Sequence, residues 1–140
     1  MEFKISCSSE EQLTQFVKSN FIQFPLDFRK MCETTQYTHK LYTKALHFEC
    51  WEDDELIGLL CAYVNDEGHF AYVPYLCISV KAHNKGIASR LLEQIYSLKG
   101  INYVELEVRI SNKSAYNLYR KKGFTEISRN KEKIQLRKNF

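Results

Sequence analysis

The sequence contains few of the residues that interrupt or crosslink a chain. Only two prolines and five glycines occur among its 140 residues, which excludes collagen-like and low-complexity architectures. Its five cysteines are odd in number, widely spaced and without a Cys-x-x-Cys pair, which argues against a disulfide scaffold. No run approaches the ~18 apolar residues of a membrane span, and no apolar signal core follows Met1. We therefore expect a cytoplasmic protein with reduced thiols and no membrane partner.

The residues that are present have the composition of a globular protein, with 44% apolar and 26% charged side chains. Nine Phe, nine Tyr and one Trp supply bulky material for a core. A chain of this length buries about two-thirds of its unfolded surface. With no linker or repeat in the sequence, we expect one domain over residues 1–140.

The charge is distributed unevenly along the chain. Residues 1–108 carry ten Lys or Arg against fifteen Asp or Glu, whereas residues 109–140 carry ten against two. A basic end of this kind suits nucleic acid, an anionic membrane surface or a phosphate-bearing small molecule. A solvated basic face is the plain alternative.

Hydrophobic periodicity predicts alternating strands and helices. A strand over 3–7, a capping box from Ser9 to Gln12 and helical character over 26–45 come first. Strands follow from Leu46, over 56–64 and over 70–80, separated by turn residues that suit an antiparallel meander. A helix from Ile87 to a cap at Gly100, a strand over 103–110, a helix over 112–123 and one or two strands over 124–135 complete the chain. The unit over 80–103 should be a right-handed crossover between parallel strands.

A short basic loop joins the apolar run ending at Ile78 to the helix near Ile87. Gly86 and Ala88 have little or no side chain, so an anion can approach the main-chain amides of this loop. The first turn of the helix adds free N–H groups and the positive end of its dipole. The pattern predicts a phosphate cradle, although a tight turn with close helix–strand packing uses the same small residues.

A second segment runs from Asn112, a predicted N-cap, to Gly123, a predicted C-cap. Tyr119 lies two helical turns after Asn112, so the two side chains share nearly one face. A tyrosine there either packs in the core with its hydroxyl satisfied or donates a proton to a leaving group.

Together the two segments resemble the GCN5-related N-acetyltransferase (GNAT) family. The run His83-Asn84-Lys85-Gly86-Ile87-Ala88 stands where that family has Arg/Gln-x-x-Gly-x-Gly/Ala, with His83 replacing Arg or Gln. Val80 stands where a proline is frequent. The segment from Asn112 to Phe124 matches the later signature, Asn-x-x-Ala-x-x-Leu-Tyr-x-x-x-Gly-Phe, in full. The element order also fits, so the resemblance covers essentially the whole chain.

This resemblance implies an α/β (α+β) fold in the order β-α-α-β-β-β-α-β-α followed by one or two strands. The mixed central sheet would have six to seven strands, with helices on both faces. Acetyl-CoA would be the co-substrate, with no metal, in a gap between the strands ending near Ile78 and Ile110. The pantetheine arm would pair with main-chain groups around Cys77 and Ile78, and the pyrophosphate would lie on the loop. The implied cofactor-binding residues are Cys77, Ile78, His83, Asn84, Lys85, Gly86, Ile87, Ala88, Ser89, Asn112 and Tyr119.

The implied reaction moves an acetyl group to an acceptor, which we expect to be a primary amine of a small molecule. The acceptor would attack the thioester directly, and Tyr119 would protonate the departing thiolate. Glu105 and Glu107 project from one face of the fifth predicted strand. Glu107 is the candidate that relays the acceptor's proton, and a solvated or ion-paired glutamate is the alternative. His47, Glu49 and Tyr75 have structural roles in this interpretation.

Two other functions are compatible with the sequence. One is a non-catalytic CoA-binding domain of the same fold, for which Tyr119 would be unnecessary. The other is nucleic-acid binding through the basic C-terminal third, although no RRM, KH or helix-turn-helix signature occurs there. We expect no nucleic-acid partner and either a monomer or a homodimer.

Overall fold

The sheet has seven strands in the order β1-β2-β3-β4-β5-β7-β6, and a computed structural model describes all 140 residues. The strands are β1 (Glu2–Ile5), β2 (Leu46–Glu52), β3 (Glu55–Asn65), β4 (Phe70–Ile78), β5 (Tyr103–Arg109), β6 (Thr125–Arg129) and β7 (Lys133–Asn139). The helices are α1 (Glu10–Asn20), α2 (Leu26–Cys32), α3 (Thr35–Lys44), α4 (Ile87–Ile95) and α5 (Lys113–Lys121), and two 3-10 turns cover Phe21–Gln23 and Val80–Ala82. None of these helices has the length and apolarity needed to cross a bilayer.

The sheet is mixed, as expected. The β4–β5 pair is parallel and is joined by the crossover through α4, whereas every other neighbouring pair is antiparallel. Helices α4 and α5 bury one face of the sheet, and helices α1 to α3 bury the other. The prediction of a mixed sheet of six to seven strands with helices on both faces is therefore confirmed, with seven strands.

The helical region over 26–45 differs from the expectation, because it forms two helices. Thr34 begins α3 by accepting a hydrogen bond from the Tyr37 N–H through its hydroxyl at 3.2 Å. A threonine in extended conformation at this position stops one helix and caps the next. The capping box at Ser9 and Gln12 is present as predicted.

Four predicted element ends were wrong. β1 ends at Ile5 rather than at residue 7, and β7 ends at Asn139 rather than at residue 135. β4 ends at Ile78 rather than at residue 80, because Val80 to Ala82 turn into a 3-10 helix. α4 ends at Ile95, so Gly100 does not cap it. Gly100 instead has a φ of +82° in the turn before β5, a conformation that glycine adopts without strain.

A β-bulge in β4 changes which face its side chains bury. Tyr72 pairs with Tyr63 and Tyr75 pairs with Cys61, so two residues of β4 lie opposite one residue of β3. Val73, before the bulge, packs in the core under α4 and α5. Tyr75, two residues later, packs in the core under α1 to α3. Strict alternation would have placed both side chains on one face.

The buried carboxylate of Glu49 ties the start of α1 to β2. Glu49 has no exposed surface. Its oxygens accept hydrogen bonds from the Cys7 N–H at 3.0 Å, the Ser8 N–H at 3.1 Å, the Ser8 hydroxyl at 2.6 Å and the Trp51 indole N–H at 3.0 Å. A carboxylate that accepts this many hydrogen bonds is satisfied without a catalytic role.

We expect Glu49→Ala to lower the free energy of unfolding by about 3 kcal/mol or more, because it leaves several buried donors without an acceptor. Urea denaturation measures this change. Glu52→Ala, at an exposed position of the same strand, is the matched control and should change stability by less than about 0.5 kcal/mol. Equal losses in the two variants would contradict the anchoring role.

Candidate active site

β4 and β5 pair along only part of their length. Phe70 to Val73 pair with Tyr103 to Leu106, and beyond these residues the two strands have no common register. The rest of β4 pairs with β3 alone, and the rest of β5 pairs with β7 alone. The strands therefore part after the bulge and leave a gap between their carboxyl ends.

The β4 edge of this gap is formed by Leu76 and Ile78. The Ser79 N–H donates to the Ile57 carbonyl of β3 at 2.8 Å, and main-chain groups alternate sides along an antiparallel ladder. Cys77 therefore points its main-chain groups to β3, whereas Leu76 and Ile78 face the gap. The expectation that Cys77 exposes its backbone to a ligand is corrected accordingly, because the bulge shifted the alternation. The Cys77 side chain is buried among apolar residues, and desolvation raises the pKa of its thiol to about 12.

The loop before α4 presents a run of unpaired amides. The N–H groups from Asn84 to Ser89 donate to no acceptor in the protein, and the first bonded amide is that of Arg90, which donates to the Gly86 carbonyl at 3.2 Å. Asn84 and Gly86 have positive φ values of 64° and 74°, which turn successive N–H groups toward one side. No side chain caps the helix.

The charges around this loop favour an anion. The first turn of α4 contains no acidic residue, although carboxylates are the preferred side chains at a helix N-terminus. Lys85 and Arg90 lie there instead and form no ion pair with a carboxylate; the Arg90 guanidinium lies 3.8 Å from the centroid of the Phe3 ring. A β-carbon on Gly86 would meet no atom within 4 Å, so the amides are open to approach. Open amides with nearby cations and no carboxylate are the features that suit a phosphate group.

His83 lies between this loop and the strand edge. Its Nε2 donates a hydrogen bond to the Ile78 carbonyl at 2.9 Å, because a carbonyl can only accept. The ring therefore fixes the loop to the end of β4, and its other nitrogen remains available.

Tyr119 lies on α5, on the same face of the sheet as α4. The residue is 8% exposed, and its ring packs against Phe124 with centroids 5.8 Å apart. Burial raises the pKa of its hydroxyl to about 12. The hydroxyl makes no hydrogen bond in the protein, yet it is not among the fully enclosed unpaired atoms, which are His47 Nδ1, Tyr75 OH and Gln94 Oε1. The group thus keeps its proton at neutral pH and is open to a partner from outside the chain.

Asn112 caps α5 as predicted. Its Oδ1 accepts a hydrogen bond from the Ala115 N–H at 3.1 Å. The cap uses only the oxygen of the amide, so the side-chain NH₂ remains free to donate. The two helices beside the gap therefore differ at their starts, since α5 is capped by a side chain and α4 is not.

Glu105 and Glu107 both lie on the face of β5 opposite α4 and α5. Glu105 accepts from the Arg137 Nε at 2.8 Å. Glu107 is the first residue of β5 beyond the section paired with β4, and it contacts Lys133 Nζ at 3.2 Å and Gln135 Nε2 at 3.1 Å. Both carboxylates are thus neutralised by cations, and only Glu107 lies at the point where the strands part.

An aromatic cluster covers the same face beside β4. The Phe24 and Phe28 rings lie 5.5 Å and 6.4 Å from the Tyr75 ring, and Tyr37 packs edge-on to Phe28 at 5.8 Å. Phe24 directly follows the 3-10 turn, Phe28 lies on α2 and Tyr37 on α3, so the segment between α1 and β2 forms a wall of the gap. Tyr75 is buried in this wall, as the structural interpretation expected.

Two contacts of this wall had no signal in the sequence. The Gln23 Nε2 donates to the Ile78 carbonyl at 3.0 Å, and the Asp27 carboxylate forms an ion pair with Arg109 at the end of β5. The partners are 55 and 82 residues apart in the chain. No local motif marks such pairs, because only the fold brings them together.

Half of the basic C-terminal third is neutralised within the fold. Five of its ten cations pair with carboxylates: Arg109 with Asp27, Lys122 with Glu93, Arg129 with Glu126, Lys133 with Glu107 and Arg137 with Glu105. The sequence asymmetry therefore overstates the positive charge that this region presents to solvent.

Comparison with known proteins identifies the same architecture. A model of the acetyltransferase (GNAT) family matches residues 12–124. The PaiA N-acetyltransferase from Thermoplasma acidophilum, solved in complex with coenzyme A, superposes with a TM-score of 0.79 at 20% identity over 100% of both chains. An aminoglycoside 6'-acetyltransferase type Ii gives 0.78 at 15% identity, covering 99% of this chain and 97% of that one.

Arabidopsis thaliana NAA60, solved with a bisubstrate analogue, gives a TM-score of 0.78 at 14% identity over 99% of this chain and 98% of that one. We find no match among curated protein sequences. At these identities the superpositions compare folds alone, whereas the family model covers most of the chain. The parted strands and the amide-rich loop accompany that match. The chain belongs to the GNAT acetyltransferase family, because the family model matches residues 12–124.

Proposed function

We propose that the protein transfers an acetyl group from acetyl-CoA to a primary amine of a small molecule. The observation that carries the proposal is the run of unpaired N–H groups from Asn84 to Ser89, at the mouth of a gap between two strands. That arrangement suits a pyrophosphate on the loop and an extended, amide-bearing chain along the strand edge.

The chain's own groups fit the parts of this co-substrate. The amides from Asn84 to Ser89, with Lys85 and Arg90 nearby, would hold the pyrophosphate. The main-chain groups of Leu76 and Ile78 that face the gap would pair with the pantetheine arm, and the side-chain NH₂ of Asn112 would be available as a further donor. Acetyl-CoA supplies an acetyl thioester, which an unprotonated amine can attack.

The protein's contribution to the reaction would be positioning and two proton transfers. The amine nitrogen forms a bond to the acetyl carbon, and the carbon–sulfur bond breaks with its electron pair on sulfur. Tyr119 would donate its proton to that thiolate, since its pKa near 12 keeps the hydroxyl protonated. Glu107 would accept the proton lost by the amine, through water.

The acceptor class is supported by a structural neighbour and is open to direct test. One structural neighbour is named as an aminoglycoside acetyltransferase, which is consistent with an amine on a small molecule. The direct test is an acetyl-CoA turnover screen of amino acids, amino sugars, polyamines and peptides that reads free thiol release. Coenzyme A binding without turnover of any amine would favour the non-catalytic alternative.

We expect Gly86→Glu to weaken coenzyme A binding by more than tenfold, ~1.4 kcal/mol. The new carboxylate would project beside the amides and repel the pyrophosphate. Isothermal calorimetry measures the affinity. Gly100→Glu is the matched control, because Gly100 also has a positive φ, also leaves open space within 4 Å of where a β-carbon would stand, and lies beyond the other end of α4. Similar coenzyme A affinities in the two variants would contradict the placement of the pyrophosphate on this loop.

We expect Tyr119→Phe to lower kcat by about ten- to a thousandfold and to leave coenzyme A affinity nearly unchanged. The thermal midpoint should hardly move, because the hydroxyl makes no hydrogen bond in the protein. Below about pH 9 the deficit should be constant, since a group with a pKa near 12 stays protonated there.

Tyr96→Phe is the control for this prediction, because burial also raises the pKa of Tyr96 to about 12. Its hydroxyl donates to the Lys122 carbonyl at 3.4 Å, so its loss should affect stability and not kcat. An unchanged kcat in Tyr119→Phe would show that Tyr119 is only a packing residue.

We expect Glu107→Gln to lower kcat by about three- to tenfold near neutral pH, because the variant can no longer accept the amine's proton. The effect is small because a carboxylate is a weak base. The deficit should shrink as the pH rises toward the amine's own pKa, near ~10, because more acceptor is then already unprotonated. Steady-state rates between pH 7 and pH 10 measure this trend. Glu105→Gln, on the same face but within the section of β5 that pairs with β4, should show no such pH-dependent deficit; identical profiles for the two variants would refute the relay.

A further inference from the structure

The segment Phe21–Cys32 is attached to both of the strands that part. Gln23 donates to the carbonyl of Ile78, the last residue of β4, at 3.0 Å. Asp27 pairs with Arg109, the last residue of β5. The 3-10 turn and the start of α2 therefore bridge the mouth of the gap, with one polar contact on each side.

This segment is braced internally and packed on its inner side. The Arg29 guanidinium donates to the Phe24 carbonyl at 2.5 Å and to the Ile22 carbonyl at 2.9 Å, which joins the 3-10 turn to α2. The ring of Phe24 packs against Tyr75. On the outer side Ile22 and Leu26 are 60% and 65% exposed, so no apolar burial holds that side in place.

The β4 attachment uses an acceptor that is already saturated. A carbonyl oxygen has two lone pairs, and the Ile78 oxygen accepts from Gln23 Nε2 at 3.0 Å and His83 Nε2 at 2.9 Å, with the Cys77 thiol a more distant third donor at 3.8 Å. An amide of a bound pantetheine arm that donates to Ile78 must therefore displace one of them. The Gln23 side chain is exposed, and its Nε2 keeps a second acceptor, the Asn20 Oδ1 at 3.0 Å. His83 is fixed by the short loop that follows Ile78.

We propose that the segment Phe21–Cys32 is a strap across the gap, and that coenzyme A binding displaces Gln23 from Ile78 and releases the β4 end of the strap. This inference rests on the proposed function, because it requires an amide-bearing ligand on the β4 edge. The Asp27–Arg109 pair keeps the β5 end attached. Gln23 is then a positioning residue that competes with the co-substrate for the Ile78 carbonyl.

The first test compares coenzyme A affinity by calorimetry in the wild type, Gln23→Met and Gln15→Met. Methionine keeps the length of the side chain and removes the donor that competes for Ile78. Gln23→Met should bind coenzyme A about two- to tenfold more tightly, the worth of one released hydrogen bond. Gln15→Met is the control, because Gln15 contacts only Ser19 on the exposed face of α1; its affinity should equal that of the wild type.

The second test measures hydrogen exchange with and without coenzyme A. The Phe24 N–H donates to the Phe21 carbonyl at 3.0 Å, and the Arg29 N–H donates to the Pro25 carbonyl at 2.9 Å. Coenzyme A should speed exchange of the Phe24 amide several-fold in the wild type and leave the Arg29 amide unchanged. In Gln23→Met the Phe24 amide should exchange fast already, with no further change on binding.

The outcomes separate this inference from the proposed function. Absence of coenzyme A binding to the wild type overturns both. Binding with an equal or weaker affinity in Gln23→Met overturns the strap release alone, and so does slowed or unchanged exchange at Phe24.

Discussion

The bulge at Val73 and Pro74 is the constraint on which the rest of the molecule depends. A parallel pair of strands is held by evenly spaced main-chain hydrogen bonds, and the β4–β5 pair ends at Val73. Pro74 has no N–H to donate, so it suits a position where pairing stops. Beyond the bulge, β4 separates from β5 but stays hydrogen-bonded to β3. The sheet therefore opens between β4 and β5 while β4 remains part of it.

The same bulge determines what each side of the gap is made of. By reversing the faces of β4, it puts Tyr75 under α1 to α3 and leaves Leu76 and Ile78 packed toward α4. The edge that faces the gap is therefore main chain with apolar side chains. The polar groups around the gap come from the loop before α4 and from the side chains of β5 and α5. The difference between the two sides of the gap is a consequence of strand geometry.

Sequence reasoning was most successful where the determinant is local. The capping box at Ser9, the cap at Asn112 and the amide-rich loop at Gly86 each depend on a few consecutive residues, and each is present. Sequence reasoning could not decide which main-chain groups around Cys77 and Ile78 face the gap, because a bulge breaks the two-residue period and leaves no mark that periodicity can detect. The Asp27–Arg109 pair was missed because its members meet only through the fold.

The loop before α4 and the aromatic wall belong to two separate cores. The core under α4 and α5 contains Ile87 and Tyr119 and supports that loop. The core under α1 to α3 contains Tyr75 and, at its edge, Phe24 and Phe28, which form the wall. Distant sites without shared partners contribute independently to stability, so a changed aromatic residue in the wall need not disturb the loop. The exception is the Ile78 carbonyl, where Gln23 of the wall and His83 of the loop share one acceptor. A substitution in the aromatic wall therefore affects the loop before α4, and the reverse, through the Ile78 carbonyl oxygen.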